Sequence, residues 1–335
     1  MKSGECSQPP GKSPRPPLWQ RGAEGGFFRK RGNGGICEVA ARFRRWLGPD
    51  ASGYLLIAPA YLIYIIFVLV PVLAVCLLSL TSYRLVGTWR FLGLGNFWML
   101  WGDENFTIAL KNTVVYALFT LAPSMALGLT LAALLNRKIP GLAFFRQVYY
   151  FPNVVSTVAA AVTWLWILDP SNGFLNRLLG LLGLPQPEWL YNPHTALPAL
   201  IGLGVWKSLG FNMVIYLAAL QGIPRQIYEA ARVDGAREID AFFRITIPLV
   251  QPTTFFLLIM GFINGFQVFD QIYIMTQGGP ANATTTLVHQ IYLNAFFYHR
   301  LGYASTISIF LATVVAAVTV INFRYGQQGK LTEVG

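Results

Sequence analysis

Long apolar runs, separated by short polar stretches, make up most of the sequence. Six of them come close to or exceed about 20 residues, the length that a helix needs to cross roughly 30 Å of hydrocarbon. They lie near residues 54–80, 107–135, 146–168, 196–220, 247–275 and 302–323. The pattern predicts an all-α membrane protein with about six transmembrane helices. Prolines within these runs predict kinks. They are tolerated there because neighbouring helices in a bundle can satisfy the carbonyls that a proline frees.

The composition agrees with this interpretation. Hydrophobic residues make up 54% of the 335 residues and charged residues only 12%, whereas soluble domains carry about 25% charged residues. The chain is therefore expected to be a multi-pass membrane protein whose main environment is the lipid bilayer.

The basic residues predict the orientation of the spans, since cytoplasmic loops carry an excess of Lys and Arg. If both termini are cytoplasmic, 19 of the 25 basic residues fall in cytoplasmic segments, and 10 of those lie in residues 1–50. These 50 residues form a Gly-, Pro- and Arg-rich tail that we expect to be mostly disordered. The basic residues are spread over separate loops without a recognition motif, which does not favour a nucleic-acid partner.

The sequence carries no catalytic or metal-ligating pattern. The stretch CSQPPGKS ends like a phosphate-binding loop, but it lacks the first glycine and no strand precedes it. The three histidines, His194, His289 and His299, are too far apart for a metal-ligand helix, and the cysteine spacing matches no metal site. We therefore expect neither catalytic residues nor a bound metal or cofactor in this chain.

Residues 222–248 interrupt the apolar pattern with four acids and four bases. Pro224 suits the start of a helix, and Ile227, Ala230 and Ala231 share one face of it. Gly235 suits the residue just past a helix end, and a second short helix is predicted to lead into the fifth span. The segment therefore predicts a helix, a turn and a second helix at the cytoplasmic surface.

The periodicity of this segment leaves two interpretations open. Its small residues would permit close approach to a soluble partner, with Glu229 and Asp234 pairing with basic groups there. It would equally suit an interfacial amphipathic helix with no partner.

The residues of this segment resemble the EAA motif of ATP-binding-cassette (ABC) importer permeases, as EAARVDGA at 229–236. The resemblance to carbohydrate-uptake permeases of the maltose and glycerol-3-phosphate type extends from about residue 54 to 325. Its further motifs include GLGNF at 93–97, FRQVYYFPNVVS at 145–156 and FQVFDQIYIMTQGGP at 266–280. It implies a type I ABC importer permease fold in the cell membrane of a prokaryote. Residues 51–325 would form the permease domain, with cytoplasmic tails at 1–50 and 326–335.

The resemblance also implies partners. A second permease would complete a heterodimer, two ATPase subunits would use ATP and Mg, and an extracytoplasmic solute-binding protein would deliver the substrate. In that family the EAA helix-turn-helix docks on the ATPase and couples ATP hydrolysis to the spans. By position, the coupling residues here would be Glu229, Ala230, Ala231, Asp234 and Gly235.

Polar residues within the spans are candidates for a substrate path, because sugars need hydrogen-bonding groups that face a wet cavity. In the fifth span, Asn264, Gln267 and Gln271 share one face at i, i+3 and i+7. The full set of candidates is Asn153, Trp206, Lys207, Ser208, Gly261, Asn264, Gly265, Gln267 and Gln271. These groups could instead join helices to one another through hydrogen bonds, whereas the resemblance implies that they line a sugar site.

Two alternatives to a sugar importer remain at this stage. The same machinery could import glycerol-3-phosphate or another polyol, since Lys207 near the middle of the membrane would suit an anionic group. The chain could also be an ion-coupled secondary carrier that works alone. Such a carrier is expected to hold charged relays within its spans. Here the candidates for such a relay are Lys207 and Asp270, whose depths differ by roughly 10 Å, which makes a direct pair between them doubtful.

Overall fold

The computed structural model describes residues 48–84, 89–136 and 141–328. Most of the basic tail at 1–50, part of the C-terminal tail and the basic pair Arg137 and Lys138 lie outside these residues. The chain divides into two compact units, one that ends at Leu69 and one that begins at Val70. The described part of the first unit is helix α1, Gly48–Tyr64, followed by a π-helical turn at Ile65–Leu69.

The second unit is also helical and contains the remaining elements. They are α2 (Val70–Ser79), α3 (Gly95–Gly102), α4 (Glu104–Leu135), α5 (Leu142–Val154), α6 (Thr157–Ile167), α7 (Phe174–Leu181), α8 (Pro193–Gln221), α9 (Arg225–Val233), α10 (Glu238–Ala241), α11 (Ile247–Leu249), α12 (Gln251–Phe266), α13 (Asp270–Met275), α14 (Leu287–Tyr292) and α15 (Leu301–Gln328). Among the described residues, Thr81 and Phe91 pair as an isolated antiparallel bridge, and no strand is formed.

Five helical stretches of the described chain are long and apolar enough to cross a membrane: Leu56–Ser79, Glu104–Leu135, Pro193–Gln221, Gln251–Met275 and Leu301–Arg324. A sixth candidate is the pair α5 and α6, which meets the same criteria only when both helices are taken together. The prediction of an all-α protein with about six spans is therefore confirmed. The predicted span at 146–168 is a bent pair, however, because α5 and α6 meet at 98°.

Helices α4 and α8 pack together along most of their length, and small residues permit this close approach. A Cβ atom added at Gly128 would lie 2.8 Å from the Asn212 Cβ atom, and one added at Gly204 would lie 2.9 Å from Thr120 Cγ2. Both distances are shorter than real carbon contacts allow. The glycines therefore set the separation of the two longest helices of the second unit.

The segment between the fifth and sixth spans is fixed by buried polar side chains. Asn112 of α4 donates to the carbonyl oxygens of Asn282 (3.1 Å) and Thr285 (3.0 Å). The His289 ring is buried and its Nδ1 lies 3.0 Å from the Thr285 hydroxyl. Burial lowers the pKa of His289, so the ring is held in its neutral form at neutral pH. These contacts tie the segment to the start of α4.

Candidate functional site

A cavity of about 600 Å³ lies between α4, the junction of α5 and α6, α8, and the α12–α13 region. Eight of the nine substrate-path candidates line it, although they come from three different spans. These eight are Asn153, Lys207, Ser208, Gly261, Asn264, Gly265, Gln267 and Gln271. The structure thus brings together residues that lie up to 118 positions apart in the sequence, and their role in transport stays a prediction.

The ninth candidate, Trp206, lies outside the cavity wall. Its ring packs against Trp164 of α6, with ring centroids 5.8 Å apart. Trp206 thus lies on the side of α8 that faces α6, whereas Lys207 and Ser208 lie on the side that faces the cavity.

The fifth-span face contributes side chains that differ in exposure. Asn264 and Gln267 are exposed, and Gln267 follows the last residue of α12. Gln271 is buried, and its amide donates to the hydroxyl of Tyr116. Two free amides and one fixed amide therefore line this side of the cavity.

Gly261 and Gly265 serve mainly to pack α12 against α4. A Cβ atom at Gly265 would lie 2.9 Å from the Ala117 Cβ atom, and one at Gly261 would clash with the Leu121 side chain. A larger side chain at Gly265 would push the two helices apart, whereas one at Gly261 would require the Leu121 side chain to move. Gly265 thus holds the cavity wall together, and Gly261 leaves room for Leu121.

The break between α5 and α6 explains the lysine in the middle of a span. Val155 is extended there (φ −65°, ψ 136°), so its carbonyl oxygen lies outside the helical hydrogen-bond ladder. Lys207 of α8 donates to this oxygen from its Nζ at 2.7 Å. A backbone carbonyl freed within a membrane needs such a donor, and a charged one makes a strong hydrogen bond. Asn153 and Thr157, on either side of the break, line the cavity.

Helix α4 supplies cavity residues that were not among the candidates. Tyr116, Thr120 and Ser124 lie one turn apart on one face and all line the cavity. The Ser124 hydroxyl also accepts a hydrogen bond from the Asn212 amide (3.1 Å). Their i, i+4, i+8 spacing within an apolar run is a sequence pattern that could have identified this face.

Lys207 and Asp270 are the two charged side chains of the cavity lining that the structure describes. They share one cavity in spite of their predicted difference in depth. One lysine and one aspartate give the lining a balanced formal charge, and its other polar side chains are amides and hydroxyls. Such a surface can hydrogen-bond a neutral polar molecule.

Residues 222–248, the EAA segment, form the predicted helix, turn and second helix. Helix α9 ends in a Schellman motif, in which the amide of Ala236 donates to Ala231 (2.9 Å) and that of Gly235 to Arg232 (3.1 Å). Gly235 has a φ of +83°, and a Cβ atom there would contact nothing within 4 Å in this chain. The turn therefore needs glycine for its backbone conformation and leaves open space in front of it.

The second half of the EAA segment continues from α10 through a π-helical turn, Phe242–Thr246, into α11. The hydroxyls of Tyr228 and Thr246 lie 3.0 Å apart and join the two halves. A small cavity of about 240 Å³ separates the segment from the ends of α4 and α8, at Ala133 and Leu220. The EAA segment thus lies beside the Leu135 end of α4.

The predicted coupling residues are mostly accessible. Glu229, Ala230, Asp234 and Gly235 are exposed, whereas Ala231 is half-buried and lines the small cavity. Beside them, Val233 is 88% exposed although it is apolar. The segment therefore presents small, acidic and apolar side chains that are accessible to a partner protein.

Comparison with known proteins decides the family. Residues 124–327 match the family described as the binding-protein-dependent transport system inner membrane component. The chain belongs to this family. It is therefore a permease subunit of an ABC transporter, which removes the ion-coupled carrier from the alternatives.

Curated relatives cover most of the permease. A probable ABC transporter permease of Bacillus subtilis, YurN, is 35% identical over 83% of this chain and 96% of its own length. The sn-glycerol-3-phosphate permease UgpA of Agrobacterium fabrum is 34% identical over 81% of this chain and 93% of its own. The arabinooligosaccharide permease AraP of Bacillus subtilis is 32% identical over 82% and 88%.

Solved structures share the fold of the permease. It resembles a chain of a bacterial ABC transporter involved in import of the acidic polysaccharide alginate, with a TM-score of 0.74 and 25% identity over 86% of this chain and 99% of that one. A second crystal structure, of a bacterial alginate transporter in complex with a pentasaccharide-bound periplasmic protein, gives a TM-score of 0.75 at 25% identity over 85% and 96%.

Proposed function

We propose that this permease forms half of the translocation path of an importer for a neutral sugar or oligosaccharide. The observation that carries the proposal is the cavity of about 600 Å³, whose wall combines amides and hydroxyls from four spans. Hydrogen-bonding groups that face a cavity at membrane depth suit a polar uncharged solute.

The permease would act within a larger complex. A second permease would supply the opposite wall, and a solute-binding protein would deliver the substrate from outside. Two ATPase subunits, which use ATP and Mg, would dock on the EAA segment through Glu229 to Gly235. This chain would bind no cofactor and perform no covalent chemistry. The distribution of Lys and Arg along the sequence supports an orientation in which both termini and the EAA segment are cytoplasmic.

The balance of charge in the cavity favours a neutral substrate over an anionic one. The Lys207 ammonium group donates to Val155, and Asp270 faces the same cavity with a negative charge. An anionic solute would have to compete for the lysine and approach the aspartate, which costs free energy. Glycerol-3-phosphate is the second candidate, because the UgpA relative is named as a permease of an sn-glycerol-3-phosphate transport system.

The substrate class can be tested with the complete transporter in nanodiscs. We expect neutral oligosaccharides, presented with the solute-binding protein, to stimulate ATP hydrolysis severalfold. Glycerol-3-phosphate and acidic saccharides serve as the matched comparison. Stimulation by the anionic solutes alone would contradict the neutral assignment.

A further inference from the structure

A second cavity, of about 720 Å³, lies at the other end of α4 from the EAA segment. Its lining includes Asp103, the residue before α4, and Tyr303 near the start of α15. Helix α4 has 32 residues and is about 48 Å long, so this cavity and the EAA segment lie far apart. We call it the Arg84–Arg300 pocket, after two basic residues in its wall.

The wall of this pocket is rigidly held by hydrogen bonds between separate parts of the chain. The Asn96 amide donates to the carbonyl oxygens of Ser79 (2.7 Å) and Thr81 (2.8 Å). The backbone amide of Gly302 donates to Tyr83 (3.0 Å), and a Cβ atom at Gly302 would lie 3.1 Å from the Tyr83 nitrogen. A preformed pocket loses little conformational entropy when it binds a partner.

The pocket lining carries a net positive charge, because it holds two arginines and one aspartate. Neither Arg84 nor Arg300 forms an ion pair with an acid of the described residues. The aspartate, Asp103, instead accepts hydrogen bonds from the Tyr303 hydroxyl (2.6 Å) and the backbone amide of Asn105 (2.9 Å). The two guanidinium groups therefore remain available for an anionic group.

The position of these arginines is unusual for a membrane protein. Only six of the 25 basic residues fall outside the predicted cytoplasmic segments. Two of the six are Arg84 and Arg300, which line the same pocket.

We propose that the Arg84–Arg300 pocket receives an acidic side chain of the solute-binding protein. This inference rests on the proposed function and its orientation, which put the pocket on the extracytoplasmic side. The charge complements a carboxylate, and the rim adds Tyr298, which is 55% exposed. Arginine and tyrosine are enriched at the centres of protein interfaces. Docking here would orient the binding protein over the neighbouring spans.

The test measures the affinity of the binding protein for the complete transporter in nanodiscs of a zwitterionic lipid and, in a parallel series, in nanodiscs that also contain an anionic lipid. The binding protein used is the one that stimulates the wild-type complex in the ATPase experiment above. We expect Arg84→Gln and Arg300→Gln each to raise Kd about tenfold or more at low salt. High binding-protein concentrations should restore the stimulation of ATP hydrolysis. The double variant should also show a weaker dependence of Kd on NaCl than the wild type.

The matched control is Arg177→Gln, which removes an exposed arginine that contacts Asn172 (3.3 Å) and lies outside the pocket. Its Kd should stay within twofold of the wild type. Three results would overturn the inference: an unchanged Kd in the pocket variants, an equal loss in the control, or a loss that appears only with anionic lipid, which would assign the pocket to a lipid headgroup. In each case the wild-type stimulation would still support the proposed function.

Discussion

Gly235 shows how a single residue can serve both backbone geometry and a partner. Its φ of +83° is the left-handed conformation that ends α9 in a Schellman motif, and a residue with a side chain would adopt this conformation only with strain. A Cβ atom there would meet none of the described residues within 4 Å, so the space in front of the turn is open to another protein.

We predict that Gly235→Asp leaves membrane insertion intact but releases the ATPase subunits, because a charged side chain would occupy the point of closest approach. Co-purification of the ATPase and transport rate are the measurements, and transport should fall at least about tenfold. Gly183→Asp is the matched control, since Gly183 has a φ of +68° and equally open surroundings. Equal behaviour of the two variants would show that the turn has no docking role.

The polar residues of the fifth span were predicted to share one helix face. Asn264, Gln267 and Gln271 do line one cavity, but the helix breaks after Phe266 and Gln271 lies in α13, so the break as well as the spacing brings them together. Trp206 was grouped with Lys207 only by adjacency in the sequence, and the structure separates their directions. The hydrogen bond of Lys207 to Val155 crosses 52 residues, so no local pattern contains it.

At the level of elements, the junction of α5 and α6 differs most from the sequence-based expectation. Pro152 predicts a kink, but the 98° bend also needs α8 to supply a donor for Val155. The EAA segment was predicted more fully, because Pro224 and Gly235 mark the limits of α9 locally. The sequence analysis did not predict the Arg84–Arg300 pocket, because its lining residues are spread between positions 82 and 303 and no local pattern contains them.

We predict that Lys207→Met destabilises the transporter, because the Val155 carbonyl loses its donor within the membrane. The cost should be about 1–3 kcal/mol, which lowers the melting temperature of the purified complex by several degrees. Lys111→Met removes an exposed lysine of α4 and should melt like the wild type. If Lys207→Met instead keeps its melting temperature and loses only stimulation by anionic solutes, the lysine binds substrate.

On the scale of the whole molecule, the source of the energy for transport is the question. The charged side chains in the described cavity lining are Lys207 and Asp270, fewer than the relays expected of an ion-driven carrier. We predict that energy enters through the EAA segment, beside the ends of α4 and α8.

Liposomes that hold this chain alone, under a proton or sodium gradient, should accumulate no more labelled sugar than protein-free liposomes. The complete transporter with the binding protein and internal ATP is the positive control, and the same complex without ATP is the negative one. Gradient-driven uptake by the single chain would refute the assignment of the energy source.

Helix α4 reaches all three regions of interest. It starts directly after Asp103, which lines the Arg84–Arg300 pocket, passes the large cavity at Tyr116, Thr120 and Ser124, and lies beside the EAA segment near its other end, at Ala133. Each residue of a helix adds about 100° of rotation and 1.5 Å of rise. The number of α4 residues between two of these regions therefore fixes their relative rotation and their distance along the helix. One residue inserted near Lys111 would turn the Arg84–Arg300 pocket by roughly a quarter of a circle relative to the large cavity. Deletions and insertions should therefore be far rarer in this helix than substitutions on its exposed face.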